Sequence, residues 1–351
     1  MDKQSSQIIS LLRFPLMFMV LIVHSGSLIK GSYPFLYEIP KLLGDLIIPS
    51  YSFISGYLFF IKSPTFTIDN YKKSISRRAK TLLVPFLLWN LIPIFASIIV
   101  RIFRCLLGKQ NFSDVFHYIS SVDWPNLFWD HHYMDEQVYN MFGWPIKYTF
   151  TCDGPLWYMR DLIVICLFTP LIFWFIKKTR IWGLLLMSLL YLFSIYPYIT
   201  IQFKTIYYFM IGAYFAINCK PMYFQPKYNF IIILTAATLF ILTLLGFNKR
   251  PFEIFGFLSC FILAKVFISY YEGSKLYIII NNLGRYAFFA YALHQISIIE
   301  LIKQGLLKVT SISLLAYFFV PIITFLLCSV LYIILKKYSP KVLSFLVGGR
   351  I

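Results

Sequence analysis

The 351-residue chain is too apolar and too poor in charge to be a soluble protein of its length. Hydrophobic residues make up 59% of it and charged residues 13%, whereas a soluble domain is roughly half apolar and a quarter charged. No folded core of this size hides so much apolar surface from water, so the bilayer must be the solvent. The composition excludes a soluble enzyme, a disordered regulator and a secreted disulfide scaffold. The formal charge of +18 would suit a nucleic-acid binder, but basic loops beside apolar helices orient membrane proteins, so we predict no nucleic-acid partner.

Apolar segments long enough to cross a bilayer as helices, about 20 residues each, occur ten times along the chain. We therefore predict an all-α polytopic integral membrane protein, with one transmembrane domain over residues 1–351 and no fused soluble domain. Asn281, Asn282, Gly284 and Arg285 interrupt the ninth segment. The predicted spans are 8–29, 42–61, 82–103, 155–176, 181–199, 203–218, 229–247, 252–271, 278–301 and 311–335.

Lysine and arginine between the spans predict the orientation of the chain. With the N-terminus inside, the inside segments hold seventeen of these cations and the short outside loops hold seven. Both termini are therefore predicted to be cytoplasmic and the long loop over residues 104–154 to be extracytoplasmic. Its tryptophans and tyrosines favour an ordered cap on the outer membrane face. Cys105 and Cys152 flank this loop and could pair if it meets an oxidising compartment.

The first span carries two ionisable residues, Arg13 and His24. Eleven residues are three helical turns, so both lie on nearly the same face, about 16 Å apart along the axis. An ionisable group inside a membrane is a candidate functional residue, and histidine exchanges a proton near neutral pH. The face suits a substrate that is held by its anionic end at Arg13 and reacts near His24.

The ninth span repeats the pattern with Arg285 and His294, nine residues apart. Nine residues place the two on opposite faces of a helix. His294 could then face the first span while Arg285 meets another partner. A hydrogen-bonded packing histidine explains His294 about equally well.

The segment between spans two and three is basic, with Arg77, Arg78 and Lys80 at its end. Such a cluster usually orients the chain or meets anionic lipid, but guanidinium and ammonium groups also bind phosphates. In the second span, Ser52 lies in a run of small residues that allows close helix packing or leaves room for a thin substrate channel.

The fourth span begins with Trp157 at the interfacial level, followed by Arg160 and Asp161. Adjacent residues on a helix diverge by about 100°, so we expect this arginine and aspartate not to pair. Arg160 would then be free to meet a ligand.

Taken together, these blocks resemble the acyltransferase type 3 family of integral-membrane O-acyltransferases. The first span contains RFPLMFMVLIVH, and the resemblance continues in order through SFISGYLFF, RRAKTLLVPF, GPLWYMRDLIV and LGRYAFFAYALHQ. The resemblance implies about ten helices with cytoplasmic termini. It also implies transfer of an acyl group, usually acetyl, from cytoplasmic acyl-CoA to a hydroxyl of a cell-surface or lipid-linked glycan. His24 matches the proposed catalytic histidine of the family and Arg13 its partner, while the basic inner segment matches a proposed CoA-phosphate site.

The expected mechanism places the CoA phosphates at Arg77, Arg78 and Lys80. His24 acts as general base or transient acyl carrier. The remaining candidate substrate-binding residues are Ser52 as oxyanion donor, Trp157 and Arg160 at the sugar, His294 and Arg285. We predict no metal and no bound cofactor, with acyl-CoA as a co-substrate. The other predicted partners are the glycan and membrane lipid. The protein is predicted to be a multi-pass protein of the plasma or inner membrane. The alternatives are a polysaccharide or lipid transporter (a flippase) without acyl chemistry, and a membrane sensor whose histidines titrate.

Overall fold

The computed structural model describes residues 1–350 except 63–65, 131, 134–137, 140–144, 147–148, 197–199 and 224–225. It confirms the all-α prediction, since the only strands in the described part are four of two residues each. The first helices are α1 (Lys3–Ser25), α2 (Pro34–Gly44), α3 (Ile47–Phe60), α4 (Ile68–Arg78), α5 (Val84–Leu106), α6 (Phe112–Ser121) and α7 (Trp124–Leu127). They are followed by α8 (Trp157–Leu167), α9 (Thr169–Leu192), α10 (Phe203–Ile217), α11 (Pro226–Leu244), α12 (Arg250–Tyr271), α13 (Lys275–Leu283), α14 (Ala287–Leu293), α15 (Ile299–Thr310), α16 (Ser313–Tyr338) and α17 (Pro340–Leu346).

Helical segments occupy each of the ten predicted spans, but not all are single membrane-length helices. Among the described residues, six are long and apolar enough to cross a membrane, and the bent pair Gly154–Leu167 and Thr169–Leu192 makes a seventh. The other helices at predicted spans are shorter, as at Phe203–Ile217. The multi-pass class is thus supported by length and composition, while the count of ten and the orientation of the termini stay predictions.

Two predicted spans are broken where the sequence carries polar or conformationally awkward residues. The chain bends by 65° between α8 and α9, inside the fourth predicted span, and Arg180, which lies between the fourth and fifth predicted spans, has a positive φ of 52°. The predicted interruption of the ninth span is confirmed, because α13 ends before Gly284 and α14 begins only at Ala287. A π-helical segment, His294–Ile298, then separates α14 from α15.

Helices α3 and α10 cross at two glycines that lie against each other's backbone. A Cβ atom at Gly56 would lie 2.0 Å from the carbonyl oxygen of Phe209, and one at Gly212 would lie 2.0 Å from that of Phe53. Any larger side chain would force the helices apart, as in other close membrane packings of small residues. The small residues of the second span therefore serve helix packing at Gly56.

Helix α1 lies inside the bundle, in contact with α2, α3 and the helices from α12 to α16. Its residues Ile8, Met17 and Leu21 are almost wholly buried, which is the consequence of being enclosed on several sides. Arg13 and His24 belong to this one continuous helix, as predicted. Their vertical separation therefore keeps its helical value of about 16 Å.

The described part of the loop over residues 104–154 contains α6, α7 and four short strands. These are β1 (His132–Tyr133), β2 (Val138–Tyr139), β3 (Pro145–Ile146) and β4 (Thr149–Phe150). Strand β1 pairs with β4 and β2 with β3, both antiparallel, with His132 opposite Phe150. Cys105 and Cys152, which the sequence allowed to pair, are both free thiols.

A buried ion network joins α2, α10 and α12 away from the two histidines of the predicted site. Glu253 is fully buried, and its carboxylate accepts hydrogen bonds from the Tyr191 hydroxyl and, at 2.9 Å, from the Lys204 ammonium. Asp45 lies 3.7 Å from the same ammonium and accepts from Lys249 at 2.8 Å. Each charge here has a partner of opposite sign, so the network is a structural tie between helices.

Candidate functional site

The imidazoles of His24 and His294 face each other inside the bundle. His24 occupies the last turn of α1, and His294 opens the π-helical segment that follows α14. Their ring centroids are 5.1 Å apart with the ring planes at 58°, and His294 is fully buried. The structure thus confirms that His294 faces the first span. Single-turn π segments often mark functional positions, because the extra residue redirects a side chain.

Backbone contacts assign the tautomer of His294. Its Nδ1 lies 2.7 Å from the carbonyl oxygen of Tyr291 and 3.2 Å from that of Ala290. Carbonyl oxygens only accept hydrogen bonds, so Nδ1 carries the proton and donates it. Nε2 is then the lone-pair nitrogen, and it is buried without a hydrogen-bond partner among the described residues. The free nitrogen of His294 can accept a proton or a hydrogen bond from a neighbouring group.

A lysine that the sequence had placed in a short outside loop belongs to this end of the site. Lys303 on α15 is 5% exposed, and its ammonium donates to the Ser27 hydroxyl at 3.0 Å and to the Glu300 carboxylate at 2.6 Å. Both charges act electrostatically on His24. The i,i+3 spacing of Glu300 and Lys303 was the available signal, since such pairs share a helix face.

The basic residues at the end of α4 and just after it differ in how far they are buried. Arg78 is half-buried, its guanidinium donating to the carbonyl of Ser55 at 3.3 Å and lying 5.8 Å from the centroid of the Phe59 ring. Arg77 and Lys80 are exposed. Of the three predicted phosphate-binding residues, Arg78 is the one directed at α3, where the Tyr51 hydroxyl also donates to the Arg13 carbonyl.

Arg350 joins Arg13 and Arg78, although the sequence had suggested for it only a role in orientation. Its guanidinium donates to the Thr81 carbonyl at 2.9 Å and lies 4.3 Å from the centroid of the Phe288 ring. Arg350 is exposed, and the positive charges of Arg78 and Arg13 act on it electrostatically. None of the three arginines forms an ion pair with a carboxylate in the described part of the chain, so they present converging positive charge that an anion would neutralise.

Polar side chains connect the three arginines with the two histidines. Tyr51 and Tyr158 lie with their ring centroids 6.5 Å apart, and the Tyr291 ring lies 6.4 Å from that of His294 while its hydroxyl donates to the Pro155 carbonyl. The hydroxyl groups of Ser52 and Tyr158 are buried, and the Tyr158 hydroxyl lies within reach of the side chains of Ser52 and Ser55. Buried hydroxyls that contact one another can exchange that contact for a hydrogen bond to a ligand.

Asp153 is a buried carboxyl group immediately before the turn into α8. It is 2% exposed, and its backbone N–H donates to the Asn90 side chain at 2.9 Å. Both carboxyl oxygens are buried without a partner among the described residues. Burial raises the pKa of Asp153 well above its usual value, because an unpaired carboxylate is poorly solvated there. The carboxyl group is therefore protonated well above the pH at which a solvated aspartic acid ionises.

We expect Asp153→Asn to gain stability over the wild type as the pH rises from about 4 to about 6, because the raised pKa of Asp153 makes the wild type lose stability from just above 3.8. The folded chain holds the Asp153 proton more tightly than the unfolded chain, so wild-type stability falls as pH rises above 3.8, by up to about 1.4 kcal/mol per pH unit. Asparagine cannot ionise and escapes this loss. Apparent unfolding temperatures in detergent measure the difference, with the exposed Asp69→Asn as control. A constant difference between variant and wild type across this range would contradict the assignment.

Arg160 and Asp161 pair with each other, so the prediction that they diverge is wrong. Asp161 Oδ1 accepts from the arginine Nη2 at 2.9 Å and from its Nε at 3.1 Å, and both side chains are buried. The remaining donors of Arg160 reach the carbonyls of Trp129 and Thr200 and the hydroxyl and carbonyl of Thr149. The Cβ atoms of the two residues do diverge, but the arginine side chain is long enough to turn back and reach the neighbouring carboxylate. With its five N–H groups engaged, Arg160 is a clamp on the loop and not a free ligand-binding cation.

The two other predicted substrate-binding residues are Trp157 and Arg285. Trp157 is half-buried at the start of α8, with its ring centroid 6.0 Å from that of Tyr158. Arg285 lies between α13 and α14 and lines a cavity with residues of α16. That Arg285 and His294 point to opposite faces stays a prediction.

Comparison with known families gives one match. The family model described as an acyltransferase domain, of the acyltransferase type 3 family, matches residues 7–333. No curated protein and no solved structure matches the chain.

Proposed function

The chain belongs to the acyltransferase type 3 family, a membrane acyltransferase family, and from this premise we propose that it moves an acetyl group from acetyl-CoA to a hydroxyl of a cell-surface or lipid-linked glycan. The observation that carries the proposal is the facing pair of His24 and His294, with a free imidazole nitrogen, on a helix whose other end carries Arg13. The pair supplies proton transfer and the arginines supply an anion site, which are the two requirements of acyl transfer from CoA.

The donor would bind with its phosphates at Arg13, Arg78 and Arg350. Guanidinium groups form forked, charge-assisted hydrogen bonds to phosphate oxygens. From there the pantetheine arm would pass Tyr51 and Tyr158 and place the thioester near His24. This direction agrees with a cytoplasmic donor if the N-terminus is inside, as the distribution of lysine and arginine predicts.

In the chemical step, His24 would take the proton of the acceptor hydroxyl as its oxygen attacks the thioester carbonyl. The tetrahedral intermediate then releases CoA as the C–S bond breaks, and the thiolate takes the proton back from His24. His294 would act as a positioning residue, since its Nε2 can accept a hydrogen bond from the second nitrogen of His24. Ser52 is proposed as a donor to the oxyanion, and Lys303 places a positive charge near the reacting groups.

The test is transfer of labelled acetyl from acetyl-CoA by the purified protein in nanodiscs. We expect release of free CoA only when a hydroxyl-bearing glycan acceptor is added, and the loss of one acetyl mass from the surface glycan of cells that lack the protein. A transporter or a histidine-based sensor would require no acyl-CoA and would release no CoA. Absence of acceptor-dependent CoA release would overturn the proposal.

The same assay tests the donor site through two adjacent arginines. Arg78→Gln removes the inward cation and is expected to raise KM for acetyl-CoA about tenfold or more, since a charge-assisted hydrogen bond contributes roughly 1.5–3 kcal/mol. Arg77→Gln removes the same charge from an exposed position and should change KM less than about twofold. If both substitutions raise KM equally, Arg78 contributes only long-range charge, and its assignment to the phosphate site is contradicted.

A further inference from the structure

A cationic cavity lies at the interruption of the predicted ninth span, and neither His24 nor His294 is among its lining residues. Its volume is about 260 Å³. Two elements contribute to it, the break between α13 and α14 and the last turns of α16. The lining consists of Arg285, Tyr286, Tyr332, Ile333, Lys336 and Lys337. We propose that this cavity binds a phosphate group carried by an anionic ligand, separately from the site of acyl transfer.

The charge of the lining is wholly positive. Arg285, Lys336 and Lys337 line the cavity and no carboxylate does. None of the three forms an ion pair with any residue that the structure describes. Cations gathered in one concave site repel one another unless an anion lies between them. A guanidinium fork beside two ammonium groups suits the oxygens of a phosphate.

The two tyrosines make the base of the cavity rigid. Tyr332 is 3% exposed, and its ring lies edge-on to Tyr286 and to Phe289 at centroid distances of 5.2 and 5.7 Å. Locked aromatic rings fix the positions of phenolic hydroxyls, which donate hydrogen bonds to phosphate oxygens. The site is therefore shaped by packing, and it does not depend only on flexible lysines.

The helix dipole of α16 accounts for only part of this arrangement. Lys336 and Lys337 in the last turn of α16 suit the negative end of that helix dipole, as basic residues commonly do. Arg285 comes from a different element and is not explained by that dipole. Its neighbour Gly284 lies against α1, with the Arg13 Cβ 3.4 Å from where a glycine Cβ would stand. The cavity is therefore next to α1, but Arg13 is not one of its lining residues.

Two sources could supply the phosphate, an anionic lipid headgroup or the CoA donor. Ile333 lines the cavity and is 52% exposed, and Val330 and Ile334 beside it on α16 are 51% and 45% exposed. An apolar surface leading into a basic cavity suits a lipid whose chains lie along α16. The CoA donor offers the same phosphate chemistry without acyl chains, so it forms the second arm of the test.

The experiment measures binding without turnover on delipidated protein in detergent. Native mass spectrometry counts retained lipid after addition of phosphatidylglycerol or phosphatidylcholine, and a parallel titration uses CoA. We expect the wild type to retain phosphatidylglycerol over phosphatidylcholine. Arg285→Gln and the double variant Lys336→Gln/Lys337→Gln should each lower that retention about tenfold. The matched control, Lys177→Gln/Lys178→Gln, removes two exposed adjacent lysines from α9 and should change it less than twofold.

The outcomes separate the sources and decide the proposal. Loss of phosphatidylglycerol in both variants, with unchanged CoA binding, supports a lipid headgroup site. Loss of CoA binding in both variants, with unchanged lipid retention, would place the donor phosphate in this cavity, contradict a site separate from acyl transfer and overturn the proposal. If Arg285→Gln matches the wild type in both arms, or if the α9 control loses as much as the α16 double variant, no specific phosphate site exists there and the proposal is overturned. None of these readouts requires acyl transfer, so they stand apart from the proposed reaction.

Discussion

Replacing His24 by alanine is expected to lower kcat for acyl transfer by about 10²–10⁴-fold, the usual contribution of a general acid–base residue. KM for acetyl-CoA should change little, because the phosphates bind at the other end of α1, about 16 Å away. Steady-state kinetics of CoA release give both constants. A decrease in kcat at constant KM is the signature of an interaction made only in the transition state.

His294→Ala should also lower kcat, by a smaller factor, because its free Nε2 orients His24 without touching the reacting atoms. The double variant His24→Ala/His294→Ala should then be no slower than His24→Ala alone, since residues that act as one unit are strongly non-additive. His294→Gln, which keeps an acceptor atom near the position of Nε2, should recover part of the loss.

His117→Ala is the matched control, because this histidine is exposed on α6 and should leave both kinetic constants unchanged. Folding of each variant is checked by its elution profile and apparent unfolding temperature. Retained transfer by a well-folded His24→Ala variant would contradict the assignment of the base. Fully multiplicative effects of the two substitutions would show that His24 and His294 act independently.

The sequence predicted the one-helix placement of Arg13 and His24 because both lie on an uninterrupted apolar run. Within such a run the helical repeat determines direction and separation without reference to other elements. The same repeat predicted that Arg285 and His294 point apart. It could not show which surface each would meet, because that depends on how α1, α14 and α16 pack together.

Contacts between distant segments account for what the sequence did not predict. Arg350 reaches Thr81, and Lys303 reaches Ser27. Both pairings depend on tertiary packing over hundreds of residues. Nothing local distinguishes these two cations from those that only orient the chain. Arg77 and Arg78 likewise differ in the direction in which their side chains point, and the direction that meets α3 depends on tertiary packing.

The number of spans could not be read from hydrophobicity because several helices are bent or broken. Hydrophobic runs show which residues avoid water, and they do not show whether the backbone continues straight. The bend between α8 and α9 and the breaks around α14 place irregular backbone inside the protein, where neighbouring groups can satisfy it. The histidine pair lies at one of these breaks, so the least predictable segment is also the one that carries the candidate chemistry.

Replacing Arg160 by methionine is expected to destabilise the fold by about 3–5 kcal/mol, because Asp161 would remain buried without its cation. Among the residues that the structure describes, only the backbone N–H of Gln202, at 2.9 Å, would still donate to Asp161. The carbonyls of Trp129 and Thr200 would lose their donor as well. The clamp joins the loop over residues 104–154 to α8 and to the segment before α10, so all three should loosen together.

Two measurements together separate this clamp from a ligand-binding role. The apparent unfolding temperature should fall in Arg160→Met, and trypsin should cleave the loop faster at Arg104 and Lys109, which are exposed. The double variant Arg160→Met/Asp161→Leu should recover part of the stability, because no unpaired charge is left buried. Arg104→Met removes an exposed arginine and serves as control for stability. If Arg160→Met unfolds like this control but loses affinity for the glycan acceptor, Arg160 binds substrate after all. The five engaged N–H groups of Arg160 favour the first result, since a ligand would have to displace bonds that already hold the loop in place.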